Sequence, residues 1–65
     1  MISQADAILA HLRAGNTITP AEAYSLFGCL ALHSRIAELR ERGHVIACRI
    51  VQAGRKHFGE YRIAA

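Results

Sequence analysis

The stretch Thr19 to Gly43, TPAEAYSLFGCLALHSRIAELRERG, decides the fold because several independent signals agree within it. Thr19 stands before Pro20 and three residues before Glu22. This is the order of a helix N-cap, a proline at the first helical position and a capping-box glutamate. Gly28 then interrupts the helical pattern, because glycine tolerates positive φ and permits a sharp turn. The stretch therefore predicts a helix that begins at Pro20 and ends at a tight glycine turn.

A second helix, around Leu30 to Arg42, is predicted after that turn. Leu32, Ile36 and Leu39 repeat at i, i+4 and i+7, the spacing of a buried helical face. Gly43 suits a left-handed C-cap. Two helices joined by a tight glycine turn predict a helix-turn-helix. The apolar face of the first of them is expected to comprise Ala23, Leu26 and Phe27.

The preceding residues predict one more helix, Ser3 to Ala14, with Ser3 as its cap and an apolar stripe of Ile8, Leu9 and Leu12. Thr17-Ile18 is an extended link that allows a short strand. Ile18 is also placed as a hydrophobic staple for the next helix.

The C-terminal third changes to a strand pattern. His44 to Val51 is rich in β-branched residues that alternate, and Phe58 to Ala64 alternates again. The polar residues 52–57 between them predict a flexible loop. We expect Tyr61 and Ile63 on one face with Glu60 and Arg62 on the other, and Arg49 outside. The core-facing residues of the first strand are expected to be Ile46, Cys48 and Ile50.

These elements predict an α+β fold of three helices followed by a two-stranded β-hairpin, the wing of a winged helix-turn-helix, in a single domain of residues 1–65. Lys and Arg number 8 against 5 for Asp and Glu, which gives a formal charge of +3 and an isoelectric point near 9.4. This excess favours a polyanionic partner. Aromatic residues are 6% of the chain, so a deep pocket for a small-molecule substrate is not expected.

The second helix of the helix-turn-helix carries the candidate base-reading residues on its exposed side, because such a helix fits the major groove of duplex DNA. Arg35 can bind guanine O6 and N7. The structural alternative for Arg35 is an ion pair with Glu38 or Glu22. The DNA-contacting residues predicted on this helix are His33, Ser34, Arg35, Ala37, Glu38 and Arg40.

Four charged residues on this helix leave alternatives open. Arg40 and Arg42 lie near its C-terminus, where cations also stabilise the helix dipole without any ligand. Glu38 and Glu41 on its outward side repel phosphates, which weakens a monomer as a DNA binder and makes the loop more important.

The densest basic segment is Gly54-Arg55-Lys56-His57, at the predicted wing. Arg55, Lys56 and His57 are predicted to contact the DNA backbone, and the alternative is an ordinary solubilising hairpin tip. Such contacts weaken with salt.

The sequence gives little support for a metal site, an enzyme or a membrane protein. Cys29 with His33 and His44 with Cys48 are each four residues apart, but they lack the close cysteine pair of a structural zinc site, so no metal is expected. No nucleophile has a base partner, so no enzyme and no cofactor are predicted. Without a signal peptide or a long apolar run, the chain is expected to be cytoplasmic, with no membrane contact.

Several motifs recur together in one known group: Ile18-Thr19-Pro20, Glu22-Ala23, Phe27-Gly28, Arg35-Ile36 through Gly43-His44, and Tyr61-Arg62-Ile63. From Ile8 to Ile63 the chain resembles the small helix-turn-helix domains of bacterial and phage open reading frames. The resemblance implies a winged helix-turn-helix and DNA binding. Arg35 matches that family's arginine before the core isoleucine.

The leading hypothesis is a small phage or mobile-element transcriptional regulator that binds double-stranded DNA, with a homodimer as a route to specificity. The alternative is a protein-interaction module, an inhibitor or adaptor, that binds a host or phage protein complex with the same scaffold.

Overall fold

The computed structural model describes residues 2–64 and confirms the α+β architecture of three helices and one hairpin. The predicted domain of residues 1–65 includes Met1 and Ala65, which lie outside the described residues. The elements are α1 (Gln4–Arg13), α2 (Pro20–Phe27), α3 (Leu32–Glu41), β1 (Ile46–Ala53) and β2 (Lys56–Ile63).

The caps of α1 and α2 form as predicted. The Ser3 hydroxyl oxygen accepts from the backbone N–H of Asp6 at 3.1 Å. The Glu22 N–H donates to Thr19 Oγ1 at 3.2 Å, and the Thr19 N–H donates to Glu22 Oε1 at 3.1 Å, which completes a capping box. Gly28 ends α2 with φ +64°, a conformation that costs other residues about 1 kcal/mol or more. The capping box and Gly28 fix where α2 starts and stops.

The core lies where the three helices meet the base of the hairpin. Leu32, Ile36 and Leu39 are buried on α3, which confirms the predicted ridge. Other members of the core are Ala5, Ile8, Leu12, Ile18, Ala23, Cys29, Ile46 and Tyr61.

Leu26 was expected on the buried face of α2, but its exposed fraction is 56%. The buried face of this short helix is centred between Ala23, which is buried, and Phe27, which packs against the core. Because each residue turns the helix by about 100°, Leu26 lies on the far side of Ala23 from Phe27 and faces outward.

The third helix begins at Leu32, two residues later than expected. Leu30 lies in the turn after α2 and is 87% exposed. No side chain caps α3, because Ala31 occupies its N-cap. Gly43 follows the helix with φ +99° and leads the chain into the hairpin.

The hairpin is longer and tighter than predicted. Its antiparallel register runs from Ile46 opposite Ile63 to Ala53 opposite Lys56, so the expected loop of residues 52–57 is wrong and only two residues form the turn. Gly54 takes φ +63° at the first central position of that turn, as in type II′ hairpins. This geometry lets the polar residues on both sides continue the strand ladder.

The link before α2 forms the predicted short strand as a single bridge. The Ile18 N–H donates to the Tyr61 carbonyl at 2.9 Å, and the Tyr61 N–H donates to the Ile18 carbonyl at 2.8 Å. Ile18 thus ties β2 to the helices from its outer edge.

Only the hairpin root, defined as Ile46, Tyr61 and Ile63, packs against the helices. Cys48 and Ile50 were predicted in the core, but Cys48 is exposed and Ile50 is 67% exposed. The predicted side of the strand was correct, because alternation places Cys48 and Ile50 on the same side of β1 as Ile46. The hairpin extends past the helices, so nothing covers that face beyond its root.

Candidate nucleic-acid interface

The net positive charge of the protein comes entirely from the hairpin. Residues 46–63 carry four cations and one carboxylate, whereas residues 1–45 carry four of each. The excess of three therefore lies entirely in the hairpin. The hairpin charges are Arg49, Arg55, Lys56 and Arg62 against Glu60.

The helices instead pair their charges with one another. Arg42 donates from Nη1 to Asp6 Oδ1 at 2.9 Å and from Nη2 to Glu38 Oε2 at 3.1 Å. Arg35 Nη1 lies 3.8 Å from Glu38 Oε1. This chain of ion pairs connects α1 to α3. The structural alternative for Arg35, pairing with Glu38, is thus present in the structure.

The pKa of Asp6 lies below its ordinary value of 3.8. The hydrogen bond from the Ser3 hydroxyl is the main cause, and the hydrogen bond from Arg42 is the next. Asp6 is therefore held ionised by contacts of the helical body.

The two flanks of α3 face different parts of the molecule. Arg42 reaches Asp6, so the flank that carries Arg35 and Glu38 faces α1. Arg40 lies on the opposite flank and donates from Nη2 to the Ile46 carbonyl at 2.8 Å. Arg40, predicted as a DNA contact, thereby also fastens the hairpin root to α3.

The remaining surface of α3, which we call its exposed arc, comprises His33, Ser34, Ala37 and Glu41, all of them exposed. Its side chains are short except at its two ends. His33 lies on the flank shared with Arg40, because a step of seven residues nearly completes two turns. This flank meets the hairpin at its root, where Arg40 binds the Ile46 carbonyl.

The hairpin tip, Gly54 to His57, displays every basic residue predicted there. Arg55, Lys56 and His57 are all exposed. Lys56 and His57 belong to β2, so they point to opposite faces of the hairpin and are held by strand pairing. The expectation of a flexible basic loop is wrong, and the tip is a tight turn at the end of a regular ladder.

Sequence reasoning missed one part of the charged surface. Arg62 and Arg49 were placed outside but were given no role, although they share one face of the hairpin with Lys56. The signal that could have found them is the alternation of charged residues along both strands.

At the hairpin root, Tyr61 sits beside Cys48. Burial, with a smaller contribution from Cys48, raises the pKa of the Tyr61 hydroxyl above its ordinary value of 10.0. Gly59 lies next to them, and a Cβ there would come within 3.0 Å of Cys48 Sγ. A side chain at position 59 would require Cys48 Sγ to shift.

The potential metal ligands do not meet. Cys29 is buried and Cys48 is exposed, and within residues 2–64 no three histidine, cysteine or carboxylate side chains gather as a metal site would need. His11 is half-buried. Its Nε2 lies 3.0 Å from the Thr17 carbonyl, and its ring meets Phe27 edge-on at 5.7 Å. His11 therefore has a packing role.

A three-helix unit with a tight turn between α2 and α3, followed by a hairpin, defines a winged helix. The chain belongs to the winged helix-turn-helix domain family, whose model matches residues 3–65. Comparisons with curated proteins and with solved structures gave no match. Membership indicates DNA binding in general terms and is typical of non-enzymatic domains. No helix within residues 2–64 is long and apolar enough to cross a membrane.

Proposed function

We propose that the protein is a phage or mobile-element transcriptional regulator that binds duplex DNA with α3 and the hairpin tip. The observation that carries the proposal is the confinement of the net charge of +3 to the hairpin, whose root Arg40 fastens to the flank of α3 that borders the exposed arc. A neutral helix beside a cationic arm can enter a groove while the arm neutralises phosphates.

In this proposal, α3 lies in the major groove with Ser34 and Ala37 toward the bases. A serine hydroxyl donates to or accepts from either base pair, and an alanine methyl contacts the methyl group of thymine. His33, at the start of the same arc, is exposed, and its ring nitrogen is a further group that can hydrogen-bond to a base. The arc has short side chains, so we expect close approach and modest base discrimination.

The arginines of α3 contribute differently in this arrangement. Arg35 shares Glu38 with Arg42, so a guanine contact requires it to turn away from that carboxylate. Arg40 uses one nitrogen on the Ile46 carbonyl and retains other N–H donors for a phosphate. We therefore assign Arg40 to backbone contact and give Arg35 the smaller role.

The hairpin tip supplies the salt-dependent part of binding. Arg55 and Lys56 are exposed, and neither forms an ion pair within the described residues. Each phosphate that they neutralise is expected to add about 0.9 to the slope of log K against log salt. His57 points to the face opposite Lys56 and reaches the same backbone from its other side.

The alternative, a protein-interaction module, drew its support from Glu38 and Glu41 on the presented helix. Glu38 is engaged by Arg42 at 3.1 Å and lies near Arg35, so it presents little free charge. Glu41 alone remains an exposed carboxylate on that face. The charge distribution therefore favours DNA as the partner.

The proposal includes pairing of two copies, because a single module of this kind covers only about 600–1,000 Å² of DNA. Leu26 near the end of α2 is 56% exposed, and Leu30 in the turn after it is 87% exposed. Tyr24 is 60% exposed but points about 160° away from Leu26 around α2, so it belongs to another surface. We expect Leu26 and Leu30 to contact the second copy and to impose palindromic sites.

Titration of a labelled random duplex at several salt concentrations tests the proposal. Arg55→Ala and Lys56→Ala are each expected to lower the salt slope by about 0.9, and together to weaken binding at moderate salt. Arg13→Ala is the matched control, because Arg13 is an exposed arginine that lies near Ile63 at the hairpin root, at the opposite end of the hairpin from Arg55 and Lys56. Absence of duplex binding at low salt, with a protein recovered by pull-down, would support the alternative instead.

A further inference from the structure

The two faces of the hairpin differ in what they contact. Residues opposite each other in the register point to the same side, so Ile46, Cys48, Tyr61 and Ile63 share the inner face. The buried members of that face pack on the helices. The other side, which we call the outer face, points away from the helical body. Its members are Ala47, Arg49, Val51, Ala53, Lys56, Phe58, Glu60 and Arg62.

The outer face is cationic. Arg62 and Lys56 are exposed, and neither forms an ion pair within residues 2–64. Arg49 lies 3.0 Å from Glu60, yet its side chain is 74% exposed. A guanidinium has five N–H donors, so the contact with Glu60 leaves others free. Three cations against one carboxylate give this face a net charge of +2.

The cations of the outer face follow the length of the hairpin. Arg62 and Lys56 are six residues apart on β2, a separation of roughly 20 Å at the rise of a strand. Arg49 on β1 stands opposite Glu60 and falls between them. Val51 and Phe58, paired and half-buried, fill the gap in the row with apolar surface. A row of this length can contact several phosphates of an extended backbone.

The root end of the row, Arg49 and Arg62, is separate from the first DNA contact, which shares Lys56 at the tip. Arg62 is at the root of the hairpin, on the side opposite Tyr61 and Ile63, which pack on the helices. A duplex held by α3 and the tip contacts Lys56, roughly 20 Å along β2 from Arg62. The proposed function therefore leaves Arg62 and Arg49 without a partner of opposite charge other than Glu60.

We propose that the outer face binds a second DNA duplex, so that one chain bridges two DNA segments. This inference rests on the proposed function, because the first segment is the one held by α3. A second copy of the chain does not fit as the occupant, because its hairpin is cationic and its helical body carries no net charge. A duplex backbone supplies the regular negative charge that the row of cations complements.

Energy transfer between two short duplexes, one carrying a donor dye and the other an acceptor, tests the proposal at low salt. The intact protein is expected to produce transfer, and native mass spectrometry is expected to show complexes with more duplexes than chains, which paired copies holding one duplex each cannot form. The double variant Arg49→Gln with Arg62→Gln is expected to lose these complexes and to show weaker transfer, while its affinity for a single duplex changes by less than about threefold.

Arg62→Gln alone should reduce the transfer in the same direction, and it leaves the Arg49 to Glu60 ion pair intact if the double variant folds poorly. Arg55→Gln is the control at the tip, where the expected loss is in single-duplex affinity. Complexes with more duplexes than chains that survive the double variant would overturn the proposal. Duplex binding by the intact protein without any transfer would overturn it while leaving the proposed function standing. Absence of any duplex binding would overturn both.

Discussion

The helical body, residues 2–45, and the hairpin, residues 46–63, are stabilised in different ways. The body buries aliphatic side chains and balances its charges, with Arg42 joining α1 to α3 through Asp6 and Glu38. The hairpin is held by backbone pairing and leaves Ile50, Cys48 and its tip exposed. The body therefore determines stability, and the hairpin is free to carry charge that stability does not require.

The hairpin nevertheless depends on the body at its root. A two-stranded hairpin alone is marginally stable in water. Tyr61 and Ile46 enter the core, Ile18 pairs with Tyr61, and Arg40 binds the Ile46 carbonyl. These contacts set the position of the tip relative to α3. The relative position of the two proposed DNA contacts is thus a property of the root.

The largest expected effect contrasts two isoleucines. Ile36→Ala removes a side chain that is 1% exposed on α3 and should cost about 2–5 kcal/mol of unfolding free energy. Ile50→Ala removes one that is 67% exposed on the hairpin and should change it by no more than about 0.5 kcal/mol. Chemical denaturation followed by circular dichroism measures both. Equal losses would show that the hairpin face is covered and would remove the distinction between the two regions.

The sequence predicted the features that depend on neighbouring residues. The capping box of Thr19 and Glu22, the turn at Gly28 and the ridge through Ile36 are local signals, and the structure has them all. Alternation also predicted which side of β1 each residue faces. These signals were enough for the fold.

The remaining features depend on residues far apart in the chain. Alternation could not show where the helices stop covering the hairpin, so Cys48 and Ile50 were assigned to the core. The ion pair between Asp6 and Arg42 joins residues 36 positions apart, and no local pattern indicates it. The tight turn at Gly54 was missed because the polar residues beside it are typical of a longer loop. The sequence therefore predicted which basic residues belong to the candidate site. Only the structure showed which of these cations form ion pairs and which do not.

Arg40 sharpens the comparison because it connects the two regions. Arg40→Gln removes the hydrogen bond to the Ile46 carbonyl and should cost about 1 kcal/mol, or roughly 4–8 °C in Tm for a domain of this size. Amide hydrogen exchange should show faster opening at Ile46 and Tyr61 than in α1. Unchanged stability together with weaker duplex binding would assign Arg40 to the ligand alone.

The smallest expected effect concerns the charge network of the body. The pKa of Asp6 is lowered in the folded protein by Ser3 and Arg42, so its stabilising contribution is present above the ordinary value of 3.8 and is lost as pH falls through the folded value. Thermal melts at pH 7 and at about pH 3 should show a small advantage of the natural protein over Asp6→Asn at pH 7 only. An advantage that persists at low pH would contradict this origin.

Backbone amide shifts recorded while a short duplex is added at low salt will show whether the exposed arc of α3 and the hairpin tip meet the same duplex. We expect the largest changes at His33, Ser34 and Ala37 and at Gly54 to His57, with small changes along the α1 surface. Changes concentrated on α1 and α2, with α3 and the tip unaffected, would show that the duplex binds elsewhere.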